Sequence, residues 1–327
     1  MGMRNRAGWC AVLVLAGGMA SAVAQERRAA GDFPNRPIRL VVPFTPGGTN
    51  DILARLFSAK LAELRNWNVL VENKPGAGSA IGAAFVAAAP PDGYNLLAIS
   101  SSHTVVAVAQ KLPYDPVRSF TALNLIGTGA NVLTVAPNFP ASNIAELIAL
   151  ARARPGQYSF ASSGLGSLTH LMGEQFNAAA RINTLHVAYK GGTPAVTDVM
   201  SGQVHLYYSG LAAVMPLVRA GKMKALGVTT PERSPAAPEV AAIAETVPGF
   251  QAPNWYGILG PAALPAGVTG ELNGAFNQVL RDAEVVKRLT SEGIQPANAT
   301  PEAAAKFLAD DAARWGNIAR SVGIAPQ

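Results

Sequence analysis

The stretch that most constrains the fold runs from Ile38 to Arg55 and reads IRLVVPFTPGGTNDILAR. A short apolar run, Ile38–Val42, is followed by a turn that contains Gly47 and Gly48. Apolar residues then recur with the i, i+3, i+4 spacing of an amphipathic helix. They are Leu53, Leu56, Phe57, Leu61 and Leu64. The pattern predicts a strand, a glycine turn and a helix.

A turn of this kind can bind an anion. Because glycine has no side chain, the backbone at Gly47 and Gly48 can come close to a ligand. The unpaired N–H groups and the dipole at the start of a helix favour negative charge. Thr49, Asn50 or Asp51 can cap the helix, and for Asp51 capping is favoured over a ligand contact. Taken alone, the stretch also fits a plain connection from strand to helix.

Two further polar glycine turns follow predicted strands. The strand Tyr158–Ala161 precedes the turn Ser162–Ser167, and the strand Leu185–Ala188 precedes the turn Tyr189–Gly192. Thr193 is expected to be the N-cap of the next helix, with a proline at its first position. In open α/β sheets ligands bind at the carboxyl ends of strands. The turns are therefore expected to line one site.

Strands and helices alternate along the chain, which predicts an α/β fold with mostly parallel sheets between helices. The length of 327 residues favours two domains. The other predicted strands are Asn68–Val71, Tyr94–Ile99, Val132–Ala136, Val204–Tyr208, Lys224–Val228 and Trp255–Leu259. The other predicted helices are about Ser79–Ala89, Asn143–Arg154 and Leu264–Leu280, with a last helix capped by Thr300.

The N-terminus predicts export. Two arginines precede the apolar run Ala11–Ala16, and small residues lead to an A-x-A site that ends at Ala24. This is the pattern of a signal peptide, residues 1–24, cleaved before Gln25. The apolar segment is too short, and too interrupted by glycine, for a membrane anchor. The single cysteine, Cys10, lies within the leader, so no disulfide is expected.

Charge and motifs exclude several classes of protein. The formal net charge is +6, or +4 once the two leader arginines are removed, and no basic cluster suggests nucleic-acid binding. A mild positive balance suits small anions. No P-loop, complete dinucleotide fingerprint or Gly-x-Ser-x-Gly elbow occurs. No catalytic residue, cofactor or metal is therefore predicted.

The histidines lack the spacing of metal ligands. His103 and His170 adjoin polar turns and are candidates for lining a site. His186 and His205 fall in predicted strands, where packing or hydrogen bonding is expected. Lys190 can meet an anion or can be a solvated loop residue.

At the level of motifs, the chain from about Phe33 to the C-terminus resembles a known family. The matching segments are Phe33–Phe44 with Pro46-Gly47-Gly48, Val71–Gly78, Pro91–Tyr94, Lys111–Pro116, Ala161–Gly164, His186–Gly191 and Ser201–Val204. Their order and spacing resemble the Bug-type extracytoplasmic receptors, the substrate-binding proteins of tripartite tricarboxylate transporters.

The resemblance implies a type II periplasmic binding protein fold with a ligand cleft between two lobes. Residues 33–130 plus 255–327 would form lobe 1, and residues 131–254 lobe 2. The protein would be a periplasmic receptor rather than an enzyme. It would capture a small carboxylate (a di- or tricarboxylate or an aromatic acid) and deliver it to the membrane permease subunits.

In the family, loop amides, hydroxyls and ordered waters meet the ligand carboxylate rather than an arginine clamp. Carried over, the expected ligand-binding residues are Phe44, Thr45, Pro46, Gly47, Gly48, Thr49, Asp51, Ser101, Ser102, Thr104, Ser162, Ser163, Gly164, Ser167, His170, Tyr189, Gly191, Gly192, Thr193 and Ser209. Ser209 and Gly210 stand where the family often has Asp-Asn, and Ala188 replaces a usual proline. Without that aspartate, we expect acids that lack an amino group to be preferred over amino acids.

Two alternatives remain open at this stage. A receptor of the same fold can present its closed form to a sensor kinase instead of a transporter. A secreted hydrolase or lyase is the other alternative, and the missing catalytic constellation disfavours it.

Overall fold

The computed structural model describes residues 33–321, which form two β-sheets flanked by helices. The strands are β1 Ile38–Val42, β2 Val69–Asn73, β3 Asn95–Ser100, β4 Phe120–Gly129, β5 Asn131–Val135, β6 Ser159–Ser162, β7 Leu185–Ala188, β8 Leu206–Gly210, β9 Lys224–Val228, β10 Asn254–Pro261 and β11 Ile294–Pro296. The α-helices are α1 Thr49–Arg65, α2 Ala80–Ala87, α3 Ser102–Ala109, α4 Ile144–Ala153, α5 Leu168–Ala180, α6 Gly192–Ser201, α7 Leu211–Arg219, α8 Ala266–Arg281, α9 Ala283–Ser291 and α10 Pro301–Ser321.

The first sheet has six strands in the order β11-β4-β10-β3-β1-β2, and the second has five in the order β7-β6-β8-β5-β9. Strand β1 runs parallel to β2 and β3, and β6 runs parallel to β7 and β8. Strands β10 and β5 run antiparallel to both of their neighbours. The α/β fold is thus confirmed, but the sheets are mixed rather than mostly parallel, because each contains a strand next to a point where the chain changes sheet.

Apolar helix faces form a core against the first sheet. The i, i+4, i+8 residues Leu53, Phe57 and Leu61 of α1 are buried against the first sheet, as the spacing predicts. Phe57 meets Phe276 of α8 with ring centroids 6.1 Å apart. Burying one such side chain contributes roughly 1.5–3 kcal/mol, so this packing fixes the start of α1 beside the end of β1.

Some elements differ from the sequence prediction. Strand β4 and helix α3 were not predicted, and the strand predicted at Val204–Tyr208 lies instead at Leu206–Gly210. Thr193 is not an N-cap, because α6 begins at Gly192 with Gly191 as its cap. The hydroxyl of Thr193 instead donates a hydrogen bond to the carbonyl oxygen of Pro46.

The predicted lobe boundaries fall between β4 and β5 and at the start of β10; the division itself remains a prediction. Helix α10 contacts both cores. Ala304 and Leu308 pack in an apolar cluster of the first sheet, while Trp315 packs in a cluster of the second. Within residues 33–321, no helix is both long and apolar enough to cross a membrane. The predicted leader lies outside the described residues.

Candidate functional site

A cavity of about 190 Å³ lies between the two sheets. Its lining residues come from both predicted lobes and from the crossovers between them. They are Phe44, Gly47, Gly48, Thr49, Asn50, Ser100, Ser102, Asn131, Ser163, Leu168, Thr169, Gly192, Thr193, Val196, Tyr207, Ser209, Gly210, Ala213, Leu217, Asn254 and Tyr256. Within the described chain, no charged side chain lines this cavity.

Several helices begin at the cavity wall. The starts of α1, α3, α5 and α6 contribute Thr49, Ser102, Leu168 and Gly192, and Gly210 precedes α7. Each helix start carries backbone N–H groups without an intrahelical acceptor. Together with the helix dipoles, these groups make the wall favourable for an anion without any cationic side chain.

Hydroxyl groups order the turns around the cavity. Thr169 Oγ1 accepts a hydrogen bond from the backbone N of Ser163 at 2.9 Å. Ser102 Oγ accepts one from the backbone N of Leu168 at 3.1 Å, which joins the two predicted lobes at the cavity. These hydrogen bonds hold the helix starts in fixed positions around the cavity.

Asn254, which lies at a crossover between the predicted lobes, lines the cavity and is held by two hydrogen bonds. Asn254 Oδ1 accepts from the backbone N of Ser101 at 3.2 Å, and its Nδ2 donates to Tyr256 Oη at 3.1 Å. Burial raises the pKa of Tyr256 and that of Tyr207 far above the ordinary value. Both phenols therefore stay neutral and can donate hydrogen bonds to an anion.

Hydrogen bonds also join the two predicted lobes beside the cavity. Thr193 Oγ1 donates to the carbonyl oxygen of Pro46 at 2.5 Å, and the backbone N of Thr193 lies 3.4 Å from Thr45 Oγ1. A second contact joins Gln110 Nε2 to the carbonyl oxygen of Leu165 at 2.5 Å. These contacts connect residues of lobe 1 with residues of lobe 2.

The structure brings many of the expected ligand-binding residues to the cavity. Those that line it are Phe44, Gly47, Gly48, Thr49, Ser102, Ser163, Gly192, Thr193 and Ser209. Ser209 and Gly210 both face the cleft from the end of β8, as the sequence predicts. Those that do not line it are Thr45, Pro46, Asp51, Ser101, Thr104, Ser162, Gly164, Ser167, His170, Tyr189 and Gly191. Ligand binding by any of them remains a prediction.

Asp51 does not line the cavity but holds the first glycine turn by a hydrogen bond. Its carboxylate accepts hydrogen bonds from the backbone N of Gly47 at 3.0 Å, from Arg55 Nε at 2.9 Å and from Asn73 Nδ2 at 2.9 Å. Burial alone would raise the pKa of Asp51, but these hydrogen bonds outweigh it and lower the pKa. The carboxylate is thus fully engaged by protein groups, although Gly48 rather than Asp51 is the N-cap.

Several other candidates have partners away from the cavity. Tyr189 Oη donates to Asp198 Oδ2 at 2.6 Å, and burial together with that carboxylate raises the pKa of Tyr189 to about 12. Thr104 Oγ1 donates to Asp311 Oδ2 at 2.6 Å, which joins α3 to α10. The turn at Gly164 packs so closely on Gly78 that a Cβ there would lie 2.8 Å from the Gly78 nitrogen.

The histidines are packed rather than exposed to the cavity. His170 and His186 stack with centroids 3.9 Å apart, and His186 Nε2 lies 2.6 Å from Ser162 Oγ. His205 Nδ1 accepts from the backbone N of Ser159 at 3.1 Å. His103 is fully buried with Nε2 2.8 Å from the carbonyl oxygen of Pro116, so it lies outside the site.

Sequence reasoning missed a second set of lining residues. They are Asn50, Ser100, Asn131, Leu168, Thr169, Val196, Tyr207, Ala213, Leu217, Asn254 and Tyr256. Asn131 and Asn254 lie at the crossovers between the predicted lobes. Polar residues at such positions are a sequence signal that could have identified them as lining residues. Tyr207 is distinguished from Tyr208 only by strand alternation, which points adjacent side chains to opposite faces.

Two mixed α/β sheets around a cavity lined by helix starts define the class of periplasmic solute-binding proteins. A sequence model described as "Tripartite tricarboxylate transporter family receptor" matches residues 53–324. The chain belongs to this family.

Individual relatives agree with that assignment. Protein BugT of Bordetella pertussis is 34% identical over 302 residues, which cover 90% of this chain and 92% of BugT. The structure of Rpa4515 from R. palustris with adipate is similar with a TM-score of 0.87 and 34% identity, covering 90% of this chain and 100% of that one. MatC from Rhodopseudomonas palustris with bound malate has a TM-score of 0.83 and 30% identity, covering 88% and 99%.

Proposed function

We propose that this protein is a periplasmic receptor that captures a small carboxylate by lobe closure and delivers it to the permease of a tripartite tricarboxylate transporter. The ligand would be a dicarboxylate, a tricarboxylate or an aromatic acid. The expected partners are thus the small acid and the membrane permease subunits. Similar proteins with bound adipate and malate support the ligand class.

One observation carries the proposal: helix starts converge on a cavity that has no charged side chain among its described lining residues. A buried carboxylate needs hydrogen bonds to offset the loss of water. The N–H groups at Gly48, Thr49 and Gly192 and the hydroxyls of Ser102 and Ser163 can supply them. A cationic ligand would find no counter-charge there.

Capture requires that the protein opens and closes. The contacts of Thr193 with Pro46 and Thr45 bridge the predicted lobes beside the cavity, so separation of the lobes would open the site to a ligand. Ligand shifts the population toward the closed form only if it binds that form more tightly. The cavity wall is built from residues of both predicted lobes, so only the closed form would offer all of its contacts at once.

The role is binding rather than catalysis. Ser162 and His186 form a close pair, but Ser162 is fully buried and does not line the cavity. The matching family model is described as a transporter receptor, so transport rather than signalling to a sensor kinase is proposed.

A thermal-shift screen of organic acids on ligand-stripped protein tests the ligand class. We expect adipate, succinate, citrate or benzoate to raise the melting temperature, because ligand that binds only the native state stabilises it by mass action. The corresponding neutral amide, in which every carboxyl group of the acid is amidated, is the control. Stabilisation by amides and acids alike would contradict recognition of a carboxylate.

Position 209 carries serine rather than an acidic residue, and this allows a more specific test of the ligand class. A ligand ammonium buried there would lack a partner, and an unpaired buried charge costs several kcal/mol. We expect succinate to bind more tightly than aspartate in a calorimetric titration. Tighter binding of aspartate would overturn this part of the proposal.

Export is tested separately. Intact-mass measurement on protein from the periplasm should give a chain that begins at or near Gln25. A retained leader or a lipid adduct would contradict the proposed processing.

A further inference from the structure

The cavity has an apolar wall that the anion-binding helix starts do not explain. It is formed by Val196 of α6 and by Ala213 and Leu217 of α7. All three are partly buried and pack against the apolar core of the second sheet. Leu217 follows Ala213 by four residues, so both lie on one face of α7.

The apolar wall lies further along α6 and α7 than the helix starts that line the cavity. Val196 follows Gly192 by four residues on the same face of α6, which is about 6 Å along the helix axis at 1.5 Å per residue. Leu217 follows Gly210 by seven residues, or about 10 Å. A ligand whose carboxylate meets the helix starts therefore extends the rest of its body toward Leu217.

The wall offers no hydrogen-bond partner. Its side chains are aliphatic, and the nearest hydroxyl on α6 beyond Val196, that of Thr197, donates to the carbonyl oxygen of Thr193 within the helix. No charged side chain lies among the described lining residues. A ligand hydroxyl placed against this wall would lose water and gain no partner, whereas a methylene group would gain by burial.

We propose that Val196, Ala213 and Leu217 select ligands whose body is an unsubstituted hydrocarbon, either an alkyl chain or an aromatic ring. The inference rests on the proposed function, because it assumes that the carboxylate occupies the helix starts. It adds that hydroxylated acids of the same length are discriminated against. The specificity residues are thus on α6 and α7, apart from the groups that bind the carboxylate.

Calorimetric titration of ligand-stripped protein with matched acids tests this selection. Adipate and galactarate share a six-carbon chain, and galactarate carries four additional hydroxyl groups. We expect adipate to bind at least about fivefold more tightly, the lower end for one unpaired buried hydroxyl. Succinate, glutarate and adipate should bind about three- to fourfold more tightly with each added methylene group that reaches the wall.

Substitutions at the apolar wall are the second part of this test. Val196→Thr keeps the shape of the side chain and adds a hydroxyl, and Leu217→Asn replaces an apolar with a polar group of similar size. Both should weaken adipate binding about threefold or more and reduce the ratio between adipate and galactarate. Thr197→Val, one residue further on α6 and exposed, is the matched control and should leave both affinities unchanged.

The outcomes separate the two proposals. Binding of galactarate as tight as that of adipate, or unchanged ratios in both wall variants with melting curves like the wild type, would overturn the selection by this wall and leave the carboxylate receptor standing. Absence of binding by every acid would overturn the receptor proposal and this inference with it.

Discussion

Gly210 lies where the two predicted lobes meet, and its replacement by alanine should hold them apart. A Cβ on Gly210 would lie 2.4 Å from Thr49 Oγ1, 2.8 Å from Tyr256 Oη and 3.2 Å from Thr49 Cβ. Thr49 and Tyr256 fall in predicted lobe 1, whereas Gly210 falls in predicted lobe 2. The backbone angles of Gly210, φ −60° and ψ 143°, suit alanine, so each lobe should fold normally.

The close contacts of the added methyl group determine how much ligand affinity Gly210→Ala should lose. Adding a methyl group to a packed contact costs roughly 1–3 kcal/mol. Here the cost falls on the closed form alone, because separation of the lobes removes the contact. A loss of this size corresponds to an approximately 5–150-fold weaker affinity. Rotation of the Thr49 hydroxyl does not remove the collision, since its Cβ and the Tyr256 hydroxyl remain close.

Calorimetry and small-angle scattering together measure the effect. Gly210→Ala should bind adipate more weakly, and its saturated complex should have a larger radius of gyration than that of the wild type. Gly270→Ala on α8 is the control, because the added Cβ would meet no atom within 4 Å apart from its chain neighbours and the nearby backbone of its own helix. An affinity within twofold of wild type, with an equally compact complex, would refute the reasoning.

Further predictions follow from single contacts. Thr193→Val removes the hydrogen bond to Pro46 and should speed ligand release about five- to tenfold in stopped-flow measurements; an unchanged rate would contradict its closing role. Ser79 has φ +106° and a buried hydroxyl without a partner among the described residues, so Ser79→Gly should raise the free energy of unfolding by about 1 kcal/mol, and a decrease would argue against strain. Burial lowers the pKa of His103 to about 4. The unfolded chain then binds more protons, so stability should fall from about pH 6.5 to pH 4 by on the order of 3 kcal/mol, and a pH slope unchanged in His103→Gln would refute this.

Local sequence patterns were sufficient to predict the first strand and the first helix. The run at β1 and the spacing of Leu53, Phe57 and Leu61 require only that one face be apolar, and both elements lie where the sequence predicts. Helix α3 was missed because it is buried almost all round, which removes the polar face that makes a helix recognisable. Its valines also favour strands.

Tertiary contacts explain the errors at the site. Thr193 has the sequence of an N-cap, but its hydroxyl bonds across the cleft to Pro46, a partner 147 positions away that no local pattern indicates. The glycine turns were predicted because helix starts after strands are a general ligand site. The wall at Val196 and Leu217 could not be predicted, because aliphatic residues on helices look alike whether they face a core or a cavity.

A calorimetric titration of ligand-stripped protein with adipate and with its neutral diamide tests the central claim most directly. If helix starts and hydroxyls bind a carboxylate in a cavity without charged side chains, adipate should bind and the diamide should bind at least tenfold more weakly, because hydrogen bonds to a charged acceptor are stronger. Equal affinity for the two compounds would contradict the claim that the site recognises the anion.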